Sequence, residues 1–270
     1  MRSILLHIDD DDCLDAKLQV ALDLARTFGG HIECLQAVPV EIGVPGDLYG
    51  VMATEVLPQL REAADRLRER IQPRLASEDV AWSWLREDGF ATEKLIERSG
   101  LSDVIVLGCR SGHVVRAPSD LPGEIAVRAR TPILLVPQEA RGFDPARPAL
   151  VAWDGSPEAC RALRAATPLL TRAERVILAT VAEQSDERQF DLPPTEGAEY
   201  LSRHDIDCEM VELPAEDRSI GKVLAGAAEA REVGYLVMGA YGHMRLAEMI
   251  WGGVTRKMFA NPPLPIFALH

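Results

Sequence analysis

Cysteine is scarce and badly spaced for cross-linking. The five cysteines, at positions 13, 34, 109, 160 and 208, form an odd set with no close pair. That pattern argues against a disulfide framework and any zinc-ribbon spacing, and makes a reducing cytoplasm the expected compartment. Basic charge is also short: 29 Lys and Arg face 42 Asp and Glu, a net of −13. Such a balance repels a phosphate backbone, so no nucleic-acid partner is expected. Long apolar runs are missing. The longest stretch free of Asp, Glu, Lys and Arg is Met258–His270, which contains three prolines. A membrane span needs ~20 apolar residues, so no membrane partner is expected either. The N-terminus turns acidic at Asp9, too early for a signal peptide. What remains is an ordinary globular composition, 47% apolar and 26% charged over 270 residues. That length suits one large domain or two small ones.

The chain repeats once, and the repeat decides the fold. Ser3–Asp9 (SILLHID) reads like Pro148–Asp154 (PALVAWD), an apolar run closing in Asp. Val104–Gly108 reads like Tyr235–Gly239, and each is soon followed by Gly-His, at Gly112-His113 and Gly242-His243. Thr131–Val136 reads like Leu264–Leu269. Three matches in the same order place the seam at Gln138–Pro148, where Gly142, Pro145 and Pro148 mark a linker. The expected domains are 1–140 and 147–270. Both halves are acidic, so they are expected to associate through apolar surface rather than by charge.

Short apolar runs alternate with amphipathic stretches in each half. In the first, the expected strands are Ile4–Ile8, His31–Val38, Val80–Arg86, Val104–Leu107 and Ile133–Val136. The helices between them are Leu14–Phe28, Thr54–Leu75, Ala91–Ser99 and Glu124–Arg130. Leu18, Ala21, Leu22 and Ala25 make one apolar helix face, and Gly29-Gly30 stops that helix. The second half repeats the order with strands Leu150–Trp153, Val176–Val181, Cys208–Leu213, Leu236–Met238 and Ile266–Leu269. Its helices are Pro157–Leu170, Thr195–Arg203, Ile220–Ala230 and Val254–Ala260. Ser156-Pro157-Glu158 opens a helix with a hydroxyl cap, a first-turn proline and an acid. Apolar strands alternating with helices imply α/β layers with parallel sheets covered on both faces.

Strand runs ending in Asp or Gly place those residues at the carboxyl ends of strands, where open α/β sheets bind ligands. The most informative segment is Gly239–Thr255, which runs from a strand end to a helix start with four glycines. The glycines permit close backbone approach and positive φ. Backbone N–H groups at Gly252–Thr255 would face an anion with help from the helix dipole. Equally, these glycines can serve tight turns alone. His243 and Arg245 flank the loop as candidate phosphate contacts. Arg256 and Lys257 stand in a first helical turn, where cations oppose the dipole unless an anion is bound.

These residues resemble the universal stress protein family, with two UspA-type domains in one chain. The family's nucleotide signature, Gly-x2-Gly-x9-Gly followed by Ser or Thr, is matched by Gly239, Gly242 and Gly252. Gly253 stands where Ser or Thr is usual, and the first hydroxyl comes at Thr255. Asp154 matches the strand-closing Asp that contacts adenine in the family. The resemblance covers essentially the whole chain. It implies two tandem five-stranded adenine-nucleotide α-hydrolase-like domains, each of strand order 3-2-1-4-5, related by a pseudo-twofold. It also implies a bound ATP, ADP or AMP, with or without Mg, at Asp154, Val181, Gly239, Gly242, His243, Gly252, Gly253, Val254 and Thr255.

The first half departs from that pattern. Its loop spacing is altered, with Cys109-Arg110-Ser111 between Gly108 and Gly112, and Pro122-Gly123-Glu124 opens its last helix. Asp10-Asp11-Asp12 follows Asp9 where the second half has Gly155-Ser156-Pro157. Carboxylates there repel a triphosphate; they read as a helix-start acid cluster or, less well, as a divalent-cation site. Trp82 and Trp84 alternate on a strand as packing residues, and Cys109 reads as an inert thiol rather than a redox centre. No catalytic constellation is visible. The expectation is a regulatory nucleotide-binding stress-response protein, not an enzyme, with slow ATP hydrolysis left open. The alternative is an interaction module with a vestigial site. Pairing of the final strands Ile133–Val136 and Ile266–Leu269 is expected to join the halves, leaving other surfaces for a homodimer.

Overall fold

A computed structural model describes residues 1–39, 56–109, 121–182, 192–215, 218–241 and 253–270. The first half runs β1 (Ser3–Ile8), α1 (Leu14–Phe28), β2 (His31–Val38), α2 (Leu57–Ser77), β3 (Ala81–Asp88), α3 (Ala91–Arg98), β4 (Val104–Gly108), α4 (Leu121–Arg128) and β5 (Ile133–Val136). The second runs β6 (Ala149–Ala152), α5 (Pro157–Leu170), β7 (Val176–Ala182), α6 (Pro194–Ser202), β8 (Cys208–Pro214), α7 (Ile220–Ala230), β9 (Tyr235–Gly239), α8 (Gly253–Ala260) and β10 (Ile266–Leu269).

Each half is a parallel sheet of order 3-2-1-4-5, and the two meet as one ten-stranded sheet, β3-β2-β1-β4-β5-β10-β9-β6-β7-β8. The seam is the single antiparallel pair among the described strands, with Ile266 opposite Leu135, Phe267 opposite Leu134 and Ala268 opposite Ile133. This order follows from edge chemistry. β5 and β10 carry no charge and are buried at every residue, so either left at an edge would invite aggregation. The strands that do lie at the edges, β3 and β8, carry Arg86, Glu87, Asp88, Glu209 and Glu212 and are half-buried to exposed at all but one residue.

Helices cover both faces. Alternate strand residues send Ile4, Leu6, Val106, Leu134, Val151, Val237 and Phe267 to one face, against α1, α2, α5 and α6. Leu5, Ile105, Leu135, Leu150, Leu236 and Ile266 point to the other, against α3, α4, α7 and α8. Each apolar layer continues across the seam. Helix boundaries follow local chemistry: α1 ends where Gly29 turns left-handed at φ 59°, its N–H closing on the Ala25 carbonyl. The α5 start is capped by the Ser156 side chain, which accepts from Ala159 N.

The linker is more than a tether. Phe143 is buried in the core and its ring meets that of Tyr235 at a tilt of 52°, with centroids 5.3 Å apart. Its N–H donates to Asp23 of α1 at 3.0 Å, and Gly234 N donates to the Pro148 carbonyl at 2.8 Å. A cation–π contact of Arg172 over the Phe28 ring at 4.8 Å adds a further tie between the halves.

Candidate functional site

In a 3-2-1-4-5 sheet the order reverses between the first and fourth strands, and the carboxyl ends there open a crevice. In the second half those strands are β6 and β9, paired with Ala152 opposite Met238. Asp154 follows β6 and Gly239 ends β9. Across β6 from β9, Trp153 N donates to the Ala179 carbonyl of β7 at 2.8 Å, which sets Val181, two residues on, level with Asp154. Asp154, Val181 and Gly239 therefore converge at the carboxyl ends of three adjacent strands.

Asp154 is held rigidly. Its Oδ1 accepts from Ser156 N at 3.0 Å and from Ser156 Oγ at 2.6 Å, while Ser156 Oγ accepts from Ala159 N. The turn works because Gly155 adopts φ 75°, where a side chain is strained. One serine thus starts α5 and orients the carboxylate beside it. Trp153 points into the core and donates its ring N–H to the Leu192 carbonyl at 3.1 Å.

The glycine at the end of β9 has a reason of its own. A Cβ on Gly239 would lie 2.7 Å from Ala159 N and 2.9 Å from Glu158 C, so the start of α5 abuts the strand and leaves no room for a side chain. Gly108 meets the same constraint in the first half, where a Cβ would lie 2.6 Å from Cys13 Cβ. Strand-end glycines in both halves are therefore packing requirements, whether or not a ligand is present.

Beyond β9, Tyr241 is left-handed at φ 56° and its N–H donates to Thr255 Oγ1 at 3.2 Å. Thr255 is buried and its hydroxyl ties the first turn of α8 to the strand end. Val254 is half-buried against the core, and Gly253 is the first residue of α8. That helix has no acid in its first turn, which leaves its N-terminus favourable for an anion. Gly242, His243 and Gly252 lie outside the described residues, as do Arg245, Arg110 and Gly112. Asp154, Val181 and Gly239 thus share one end of the sheet, and Thr255 is tied to the chain leaving β9 through Tyr241 N, its hydroxyl already engaged.

The corresponding crevice of the first half contains its own charges. The four-aspartate run does not act as one cluster. Asp10 pairs with Arg70; Asp11 turns inward onto Lys17 Nζ at 2.7 Å, with the two side chains 2% and 0% exposed. Burial raises the Asp11 carboxyl, and the Lys17 ammonium holds it back. His7, buried on β1, is pushed down to about 4, by burial first and then by the Lys17 charge, with Asp9 acting the other way. The Lys17 stem and Asp11 stand 3.2 and 3.3 Å from a Cβ built on Gly108. Among the described residues no group of three His, Cys, Asp or Glu could hold a metal ion. Lys17 lies on the same face of α1 as Leu14, Leu18 and Ala21. That placement was the sequence signal for it, masked by the rule that lysines are solvated.

A cleft of about 640 Å³ opens elsewhere, at the amino ends of the strands, lined by Met1, Ser99, Asp103, Arg128 and Pro132 together with Ala165 of α5. It is remote from Asp154 and does not bear on the crevice. No helix among the described residues is long and apolar enough to cross a membrane.

No family model matches the sequence. A curated universal stress protein of Synechocystis sp. is 22% identical over an alignment covering 100% of both chains. Among solved structures, a universal stress protein from Archaeoglobus fulgidus superposes with a TM-score of 0.73 at 16% identity, covering 98% of this chain and 97% of its own. A shorter universal stress protein solved in complex with cAMP covers 51% of this chain and 98% of its own, at 18% identity and a TM-score of 0.33. Along its whole length the chain is similar in sequence to that curated universal stress protein, and its ten-stranded sheet of two 3-2-1-4-5 halves has the fold of the Archaeoglobus fulgidus structure.

Proposed function

We propose that this chain is a regulatory stress-response protein that binds one adenine nucleotide, ATP, ADP or AMP, in its second half and turns it over slowly or not at all. The observation that carries the reading is the contrast between the two crevices. In the second half a carboxylate, Asp154, is fixed by Ser156 at the strand-order reversal, at the same end of the sheet as Val181, and the first turn of α8 carries no acid. In the first half the equivalent space is occupied by a buried Lys17–Asp11 pair and two cysteine side chains.

The described residues suit an adenosine. Asp154 offers an acceptor for an exocyclic amine or a ribose hydroxyl. Val181 and the apolar strand ends offer a wall for the base. Backbone N–H groups at Gly253–Thr255 lie at a helix start, where phosphate oxygens are favoured. Arg256, in the first turn of α8, is explained if an anion sits there, whereas Lys257 lies in the last turn, where a cation suits the dipole and needs no anion, contrary to its expected place in the first turn.

A second reading has its own support: Gly239 is demanded by packing and the Thr255 hydroxyl is spent on Tyr241 N, as in an interaction module with a vestigial site. Denaturing the purified chain and analysing the supernatant by mass spectrometry separates the two. Released adenine nucleotide supports the first reading. A nucleotide-free protein that also fails to take up added ATP supports the second.

A further inference from the structure

Two cysteines 96 residues apart in sequence meet at the mouth of the first crevice: Cys13 Sγ and Cys109 Sγ are 3.4 Å apart. Cys13 is the N-cap residue of α1 and is fully buried. Cys109 follows the end of β4, is partly buried, and is anchored by its N–H to the Val136 carbonyl at 3.2 Å. The close approach has a structural cause. Gly108 lets the start of α1 settle onto the strand end, so that Cys13 Cβ lies 2.6 Å from where a Gly108 Cβ would be.

We propose that Cys13 and Cys109 form a reversible dithiol–disulfide site that responds to peroxide. A disulfide needs converging side chains and an S–S bond of about 2.05 Å, so closure requires the sulfurs to approach by about 1.4 Å. The chemistry balances in two steps. Cys109, the more accessible of the two, attacks hydrogen peroxide as thiolate and becomes a sulfenic acid with release of water. The Cys13 thiol, already in contact, loses its proton and attacks the Cys109 sulfur, displacing a second water. Two thiols are oxidised by two electrons and one peroxide is reduced to two waters. The second step needs no solvent access to Cys13, because its target is its neighbour.

The site belongs to the first half alone. Four residues after the strand-closing Asp, Cys13 is matched by Glu158, and Cys109, after the strand-end glycine, is matched by Ala240. The contact with Cys13 and burial both raise the Cys109 thiol. The thiolate is therefore a minor species at neutral pH, and oxidation should speed up as pH rises. The spacing of Cys109 from Cys13 in sequence gave no sign of the pair. Once closed, the bond would tie the start of α1 to the end of β4, across the mouth of the first crevice.

The test uses the native full-length chain. After exposure to hydrogen peroxide, remaining thiols are alkylated under denaturing, non-reducing conditions, and the digest is mapped by mass spectrometry. The expected result is a linked peptide pair carrying Cys13 and Cys109, lighter by two hydrogens and separated by dithiothreitol. Its yield should be independent of protein concentration, with Cys34, Cys160 and Cys208 still alkylated. Cys109 over-oxidised without a link, or links distributed among all five cysteines, would overturn the proposal. So would a Cys13–Cys109 link that appears only when the chain is oxidised in urea.

Discussion

Replacing Lys17 with Met removes one partner of an ion pair that water does not reach, since the two side chains are 0% and 2% exposed. The methionine fills much of the lysine's volume, so the cost arises at Asp11, whose carboxylate is left buried without a counter-charge. Breaking a buried pair from one side costs about 3–5 kcal/mol. Proton uptake sets a ceiling. Asp11 can become neutral at about 1.4 kcal/mol per pH unit between its ordinary pKa and the solution, which limits the penalty to ~4 kcal/mol at pH 7. The penalty should therefore shrink as the buffer is acidified, by about 1.4 kcal/mol per unit at most, because the raised carboxyl is already partly prepared for protonation. Asp11→Leu together with Lys17→Met removes both charges and should cost no more than ~1–2 kcal/mol, because apolar replacement of a buried pair is close to neutral. Urea unfolding of parent, single and double variants at pH 5 and pH 7 measures each term. A single-variant cost below ~1 kcal/mol that does not change with pH would refute the reasoning, as would a double variant as costly as the sum of the singles.

Two other perturbations test the rest of the scaffold. His7 is neutral in the fold down to about 4, whereas the unfolded chain protonates it near 6.5. Stability should thus fall as pH drops from ~6.5 to ~4, by up to ~3 kcal/mol, and His7→Asn should flatten that limb of the urea-midpoint profile. Asp11, with its raised carboxyl, works in the opposite direction and softens the loss. At the seam, Leu135→Lys and Phe267→Lys each bury an unpaired ammonium in fully covered strands. Each should cost at least ~3 kcal/mol and expose the linker around residues 138–148 to limited proteolysis; unchanged cleavage kinetics would mean that the β5–β10 pairing does not hold the halves.

The fold was legible because its signals are local or repeated. α1, α5, α7, β2, β5 and β10 fall on the residues expected, set by Gly29, by the Ser156 cap and by short apolar runs. The seam could be read from edge logic, since the 3-2-1-4-5 order implied by the resemblance leaves the final strand of each half at an edge and neither carries a protective charge. Boundaries moved where proline and glycine read as breakers: α4 already includes Leu121, Pro122 and Gly123 ahead of the expected Glu124. β6 ends at Ala152, although Trp153 still donates to β7. The site was legible only in part. Asp154 and Ser156 announced themselves as a strand end and a helix cap. The roles of Gly239 and Thr255 in packing depend on the approach of α5 and on the Tyr241 turn, which no sequence spacing reports. The Lys17–Asp11 pair and the two thiols were hidden for the same reason: the fold brings distant residues together where the sequence shows only a charge and two isolated cysteines.

The central claim is one nucleotide per chain, held at Asp154. Calorimetric titration of the parent chain and of Asp154→Ala with ATP tests it most directly. The account predicts at most one site per chain, weakened in Asp154→Ala by about 1–3 kcal/mol, roughly 5- to 150-fold in affinity, through loss of one charged acceptor. Two equal sites, or an Asp154→Ala variant that binds as tightly as the parent, would contradict it.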